Sequence, residues 1–123
     1  MTMTGPDFIS LQVRDLEKAA DFYESVVGLT RAAVSPPHAV VFDTAPIAFA
    51  VRDLVGDEID AGAAGLGVAL WFHDPEASTL HAAMVAAGVT ISTEPVDGPF
   101  GFTFTFRDLD GYAVTVHDRR SPA

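Results

Sequence analysis

The chain has 123 residues and a formal net charge of −10, with 17 Asp and Glu against 7 Lys and Arg, no cysteine, and a hydrophobic fraction of 49%. Such a length and composition predict one ordered compact domain or a pair of very small repeats. Seven basic residues are too few for a phosphate-binding face, so we expect no nucleic-acid or membrane partner. The missing cysteines exclude disulfides and thiolate zinc sites. Residues 1–8 lack the features of a signal peptide, so we expect a cytoplasmic protein.

The first half of the chain predicts a strand, a helix and a hairpin. Phe8–Val13 alternates in polarity as a half-buried strand does. Asp15 is a candidate N-cap for a helix whose apolar residues recur at steps of three and four until Gly28, the expected stop. Two apolar runs, 38–42 and 47–51, follow on either side of a turn.

The second half repeats this plan after an Asp- and Gly-rich linker. The pattern predicts a strand over 66–72 and a helix starting at Asp74-Pro75 and ending before Gly88. Three further strands are predicted over 89–92, 102–106 and 112–117. The chain is therefore interpreted as an internal repeat of about 55 residues. Its parts are a first module over 7–52, a linker over 53–65 and a second module over 66–118. Each module leaves one face of its sheet without a helix to cover it.

Several short motifs in this order resemble the vicinal oxygen chelate superfamily, which contains glyoxalase I, bleomycin-resistance proteins and extradiol dioxygenases. They are LQVRDL at 11–16, ADFY at 20–23 and VGL at 27–29 in the first half, and AAGV at 86–89, EP at 94–95 and FRDLDGY at 106–112 in the second. The resemblance implies an α+β fold of two tandem βαβββ modules. Their curled mixed sheets would enclose a cavity, usually completed in a homodimer.

The resemblance also implies where metal ligands would stand, and this sequence lacks them. The matching positions are Phe8, about Gly67, Thr115 and a residue within 47–51, where His, Gln or Glu would be usual. Phe and Gly offer no donor to a divalent ion, and one Thr hydroxyl cannot hold it. We therefore expect no metal and no cofactor.

The leading functional expectation is a metal-free protein that binds a small aromatic or cationic drug-like molecule, as metal-free bleomycin-resistance proteins of this superfamily do. The alternative is a glyoxalase- or dioxygenase-like enzyme whose metal site is non-standard or absent. A third possibility is a partner-binding module with a vestigial cavity. The acidic run within 53–60 is either a rim that attracts cations or a solvated linker.

Candidate residues follow from strand alternation and are each weighed against a purely structural role. If Phe8 faces the cavity, Gln12 does too, and the same parity selects Gly67 and Trp71 in the second module and Thr115 and His117 on the last strand. The indole of Trp71 could stack on a flat or cationic ligand, or could be an ordinary core aromatic. The predicted ligand-binding residues are Phe8, Gln12, His38, Phe49, Trp71, Phe100, Phe102, Phe104, Thr115 and His117.

The other aromatic and histidine candidates have the same two interpretations. The Phe row at 102, 104 and 106 could floor a pocket, although a core role is commoner. Phe100 lies in a glycine-flanked loop that could act as a flap. A general-base role is conceivable for His38 or His117, but structural histidines are more frequent. His81 is expected on the solvent side of its helix. No residue is predicted to be catalytic.

Overall fold

The structure is a computed structural model that describes residues 2–54 and 63–119. The chain divides into two compact units, 1–59 and 60–123. Each unit has its own sheet and its own helix. Most of the predicted linker lies outside the described residues. Within the described ranges no helix has the length and apolarity needed to cross a membrane.

The first unit packs one helix against a small mixed sheet. Its elements are β1 (Phe8–Val13), α1 (Leu16–Asp21), a π-helical continuation (Phe22–Val27), β2 (Ala39–Phe42) and β3 (Ala48–Asp53). The strand order is β1-β3-β2, with β1 parallel and β2 antiparallel to β3. An isolated bridge from Arg31 to Phe42 continues the sheet beyond β2. It stands where a full βαβββ module has its second strand.

Both predicted helix signals in this unit are confirmed. The Asp15 side chain accepts a hydrogen bond from the Lys18 N–H at 3.1 Å, as an N-cap does. Gly28 ends the helix in the left-handed region with φ 91°, which glycine adopts without a Cβ penalty. In the π-helical segment the adjacent residues Phe22 and Tyr23 are both buried.

The core of the first unit lies between its helix and its sheet. The centroid of the Tyr23 ring lies 5.0 Å from that of Phe49 and 6.2 Å from that of Phe42, and the rings are tilted against one another. Because side chains alternate along a strand, every second residue of each strand points away from the helix. We call this side of a sheet its open face, because no helix of the unit covers it. Phe8, 51% exposed, lies on this open face.

The second unit has the same plan with a complete set of strands. Its elements are β4 (Leu70–His73), α2 (Ala77–Ala86), β5 (Ile91–Gly98), β6 (Gly101–Arg107) and β7 (Ala113–His117). The order is β4-β7-β6-β5, with β4 parallel to β7 and the other neighbours antiparallel. In both units the first strand pairs in parallel with the last. The fold is the predicted α+β tandem of βαβββ modules.

Three elements of the second unit have bounds that differ from the prediction. The strand begins at Leu70, not at 66, because Gly67 lies in a turn with φ 83° that a strand cannot contain. The helix begins at Ala77, because Asp74 Oδ1 accepts the Glu76 N–H at 2.8 Å and forms a turn ahead of it. The strand predicted over 89–92 starts at Ile91 and continues to Gly98.

The core of the second unit lies between α2 and one face of its sheet. Phe104, Phe106 and Met84 are fully buried there. The register pairs Phe104 with Val116 and Phe106 with Val114, so these valines share the helix-facing side. The opposite side is the open face of the second sheet.

Candidate functional site

The register of β4 and β7 brings four predicted or neighbouring side chains to the open face of the second sheet. Trp71 pairs with Thr115, and His73 pairs with His117. Since partners in register share a face, and since Val114 and Val116 face the helix, these four residues point to the other side. Trp71, Thr115 and His117 therefore share one face of the sheet, as strand parity predicts. Gly67, predicted on the same face, lies outside the strand.

Four rings lie together on this open face, and we call Trp71, His73, Phe100 and His117 the ring cluster. The centroids of Trp71, Phe100 and His117 are 5.5, 5.7 and 5.9 Å apart, with interplanar angles of 60–71°. His73 lies 5.7 Å from His117. These are the edge-to-face distances at which aromatic rings attract one another. His117 is 6% exposed, whereas Trp71 is 50% exposed. The cluster therefore has a covered base and an indole surface open to a ligand.

The chain that leaves β7 holds both histidines of the ring cluster. His117 Nδ1 lies 2.7 Å from the carbonyl oxygen of Arg119. His73 Nε2 lies 3.3 Å from the carbonyl oxygen of Asp118. Two consecutive backbone carbonyls thus fix the orientation of two imidazole rings.

The same segment also holds Phe100. The Arg119 N–H donates to the Phe100 carbonyl at 3.0 Å, and Asp118 Oδ1 accepts the Phe102 N–H at 3.0 Å. Phe100 belongs to a tight hairpin turn between β5 and β6, where Gly98 pairs with Gly101. The expected flap is therefore a turn tied to the end of β7, and its ring is positioned over His117.

The phenylalanine row lies on the other side of this sheet. Phe104 is fully buried, and the His81 ring of α2 lies 5.0 Å from it and 6.2 Å from Phe102. Phe49 is 3% exposed in the equivalent core of the first unit. Phe49, Phe102 and Phe104 pack towards helices, so the structure does not bring them together with the ring cluster.

The remaining candidates belong to the first unit. Phe8 and Gln12 lie on the same side of β1 by alternation, opposite the buried Leu11 and Val13. His38 precedes β2 with φ 66°, and its Nδ1 lies 3.0 Å from Asp53 Oδ2. Its side chain is 75% exposed, so it is a surface histidine paired with a carboxylate.

His81 does not lie on the solvent side of its helix as expected. Its side chain is 19% exposed, and its contacts with Phe102 and Phe104 place it against the sheet. Its buried Nε2 has no hydrogen-bond partner among the described residues, and Glu94 Oε2 is 3.9 Å away. The sequence does not indicate that His81 packs against the sheet, because the alanines around it are small enough to lie on either side of a helix.

Sequence reasoning did not select His73, Asp118 or Arg119 for the site. A signal for His73 was present, since it is two residues after Trp71 and so shares its face. The other two act through backbone groups, or through a carboxylate bonded to a backbone N–H, and such contacts leave no pattern in the sequence.

The first unit has a charge network centred on Arg31, away from its open face. Arg31 forms ion pairs with Asp21 at 2.9 Å, Glu17 at 3.0 Å and Glu24 at 3.2 Å. The hydrogen bond with Glu17, together with the charge of Glu24, raises the pKa of Arg31 above its already high ordinary value. The network fastens the chain after Gly28 to the helix and has no part in the ring cluster.

The positions implied for a metal do not fit a divalent ion. Phe8 pairs in register with Ala48, and Gly67 lies outside the sheet. Thr115 has the one side-chain oxygen of this set, and it lies 2.7 Å from Thr105 Oγ1 in a hydroxyl pair. Across residues 2–54 and 63–119, no three His, Asp or Glu side chains are grouped as metal ligands would be. Neither hydroxyls nor alanines can replace the missing imidazole and carboxylate donors.

Comparison with solved structures shows the same fold in proteins of different kinds. The antibiotic binding protein TnmS3 from Streptomyces sp. CB03234 has a TM-score of 0.74 at 22% identity, covering 98% of this chain and 99% of its own. A lactoylglutathione lyase from Agrobacterium tumefaciens has a TM-score of 0.68 at 18% identity, covering 95% of both chains. An integron cassette protein of V. cholerae has a TM-score of 0.69 at 25% identity, covering 94% of this chain and 95% of its own.

A search of curated proteins gives no significant match. The family model for the Glyoxalase/Bleomycin resistance protein/Dioxygenase superfamily matches residues 5–116. This match covers both βαβββ units, and the chain is a member of that superfamily.

Proposed function

We propose that this protein binds a planar aromatic, drug-like molecule, with a preference for cations, on the open face of its second sheet. The observation that carries the proposal is the ring cluster, in which the half-exposed Trp71 packs edge-to-face against the buried His117. Stacking on an indole and placing a cation over its face each contribute about 0.5 to 2 kcal/mol. Such binding needs shape and aromatic surface and no catalytic group.

Two further observations support this proposal. The net charge of −10 attracts cations and repels anions at long range. TnmS3, which shares the fold over nearly its whole length, is an antibiotic binding protein. We propose the same general role here, sequestration of a small molecule in the cytoplasm with resistance to it as the benefit.

The site would lie in a homodimer, whose mass in light scattering would be twice the 13.0 kDa of the chain.

Isothermal titration with bleomycin and with the planar cation proflavine tests the proposal. Trp71 is the sole tryptophan, so its fluorescence reports contact with a ligand independently of the heat. We expect saturable binding of at least one compound together with a change in that fluorescence. Trp71→Ala should weaken binding about 5- to 30-fold, equivalent to about 1 to 2 kcal/mol.

Leu109→Ala is the matched control, because Leu109 is an exposed apolar residue of the same unit in a turn away from the ring cluster. It should bind as the unmodified protein does. Absence of binding of both compounds at millimolar concentration would contradict the proposal.

The competing hypothesis is an enzyme of the same superfamily with a non-standard metal site. Elemental analysis of protein purified without an affinity tag separates the two. We expect zinc, nickel, manganese and iron each well below one equivalent per chain. Stoichiometric metal that is lost in a His73→Phe or His117→Phe variant would favour the enzyme.

A further inference from the structure

The two histidines of the ring cluster have ring nitrogens that hydrogen-bond, in addition to their aromatic surface. A backbone carbonyl oxygen can only accept a hydrogen bond, so a ring nitrogen bonded to it must carry a proton. His117 Nδ1 faces the carbonyl of Arg119 at 2.7 Å, and His73 Nε2 faces that of Asp118 at 3.3 Å. The protein backbone thus selects the tautomer of each ring.

A neutral imidazole has one N–H and one lone pair. With Nδ1 protonated in His117, its Nε2 is an acceptor. With Nε2 protonated in His73, its Nδ1 is an acceptor. The two rings lie 5.7 Å apart and share one face of the sheet, so the ring cluster contains two acceptor nitrogens and no imidazole donor left for a ligand.

We propose that this acceptor pair makes the site selective for planar ligands that carry a hydrogen-bond donor, such as a phenolic hydroxyl or an aromatic amine, over ethers of the same ring shape. The inference rests on the proposed function and specifies its substrate class. His117 is the residue that sets the preference, because its ring also contacts both Trp71 and Phe100. A ligand stacked on the indole therefore lies beside the His117 ring, whose Nε2 is the acceptor.

The segment after β7 links the two histidines to the turn that carries Phe100. Asp118 and Arg119 supply both carbonyls, and they also bind the turn that carries Phe100 through the Phe102 N–H and the Phe100 carbonyl. A histidine could change tautomer only by breaking its contact with this segment. The preference for donors is therefore a property of the backbone, present before any ligand binds.

Nuclear magnetic resonance tests the tautomers without a ligand. Long-range proton–nitrogen correlation of the full-length, ¹⁵N-labelled protein at pH 8, above the range in which histidines usually titrate, distinguishes the two tautomers of each ring. We expect His117 to carry its proton on Nδ1 and His73 on Nε2, with assignments from His73→Phe and His117→Phe. Observation of His117 protonated on Nε2 would overturn the inference whatever the protein binds.

A matched pair of probes tests the selectivity itself. We expect 2-naphthol to bind about three- to tenfold more tightly than 2-methoxynaphthalene, since one neutral hydrogen bond distinguishes them. His117→Phe keeps a ring but loses the acceptor, so the ratio of the two affinities should fall to about one, whatever the change in either affinity alone. His38→Phe, at an exposed histidine of the other unit, should retain the preference.

The outcomes separate this inference from the function on which it rests. Equal affinity of the two probes for the unmodified protein would overturn the donor preference and leave stacking intact. If neither naphthalene binds, the inference fails, and the proflavine titration shows whether the proposed function fails with it.

Discussion

The two units share a plan but differ on their open faces. In the first, the parallel pair β1 and β3 places Phe8 opposite Ala48 and Ser10 opposite Ala50. In the second, the equivalent pair places Trp71 opposite Thr115 and His73 opposite His117. The helix-facing sides are alike, with aromatic residues packed beneath a helix in both. The two units therefore both have aromatic residues beneath the helix and differ in the side chains on the opposite face of the sheet.

The largest expected effect tests the likeness of the two cores. Phe49→Ala and Phe104→Ala should each lower the free energy of unfolding by about 3 to 5 kcal/mol, because both remove a buried ring packed against a helix. Urea unfolding followed by circular dichroism measures the loss. A variant that keeps its stability but loses ligand affinity would show that its ring belongs to a binding site.

Gly101→Ala should disturb the second unit alone. Gly101 has φ 83°, and an added Cβ would collide with the Asp118 carboxylate. Strain of about 1 to 3 kcal/mol is expected, with release of the Phe100 turn. The measurements are the affinity of the variant for proflavine and its free energy of unfolding.

Gly28→Ala is the matched control, since its φ of 91° is similar and no atom lies close to the position that a Cβ would take. It should cost stability and leave affinity unchanged. Equal affinity in both variants would contradict the role of the Asp118 contact.

Arg31→Ala should affect the first unit. Its removal leaves Glu17, Asp21 and Glu24 as like charges on one helical stretch, with an expected loss of about 1 kcal/mol. Added salt should reduce that loss, because exposed charges are screened. Lys18→Ala removes the same charge from the same helix and should cost less. Equal losses for both variants would show that net charge matters and the network does not.

The smallest effect concerns a polar atom in the second core. His81 buries an Nε2 without a hydrogen bond among the described residues, so His81→Leu should preserve packing on Phe104 and raise stability by up to about 1 kcal/mol. Thermal and urea unfolding give the value. A loss of more than 1 kcal/mol would mean that the imidazole has a favourable polar interaction that Leu cannot replace.

Much of the fold could be predicted because it depends on local signals. The Phe8–Val13 alternation, the Asp15 cap and the Gly28 stop all appear in the structure as predicted. The turn at Gly67 could not be predicted in this way. The apolar run over 66–72 is typical of a strand along its whole length, but the positive φ of Gly67 places the first part of that run in a turn.

The site was less accessible to sequence reasoning for a physical reason. Alternation places Phe102 and Phe104 on one face but does not say which face the helix covers. That depends on packing with His81, which sequence placed on the solvent side. The anchoring of His73 and His117 depends on backbone carbonyls, which every residue has. Trp71, Thr115 and His117 were grouped correctly because strand parity alone determines their common face.

The measurement that tests the central claim most directly compares the two open faces. Phe8 and Trp71 are almost equally exposed, at 51% and 50%, and each lies on the first strand of its unit. Calorimetric titration of proflavine into Phe8→Ala and Trp71→Ala should show a 5- to 30-fold loss of affinity for the second, about 1 to 2 kcal/mol, and at most about a twofold loss for the first. Equal losses, or a greater loss for Phe8→Ala, would contradict the placement of the ligand on the ring cluster.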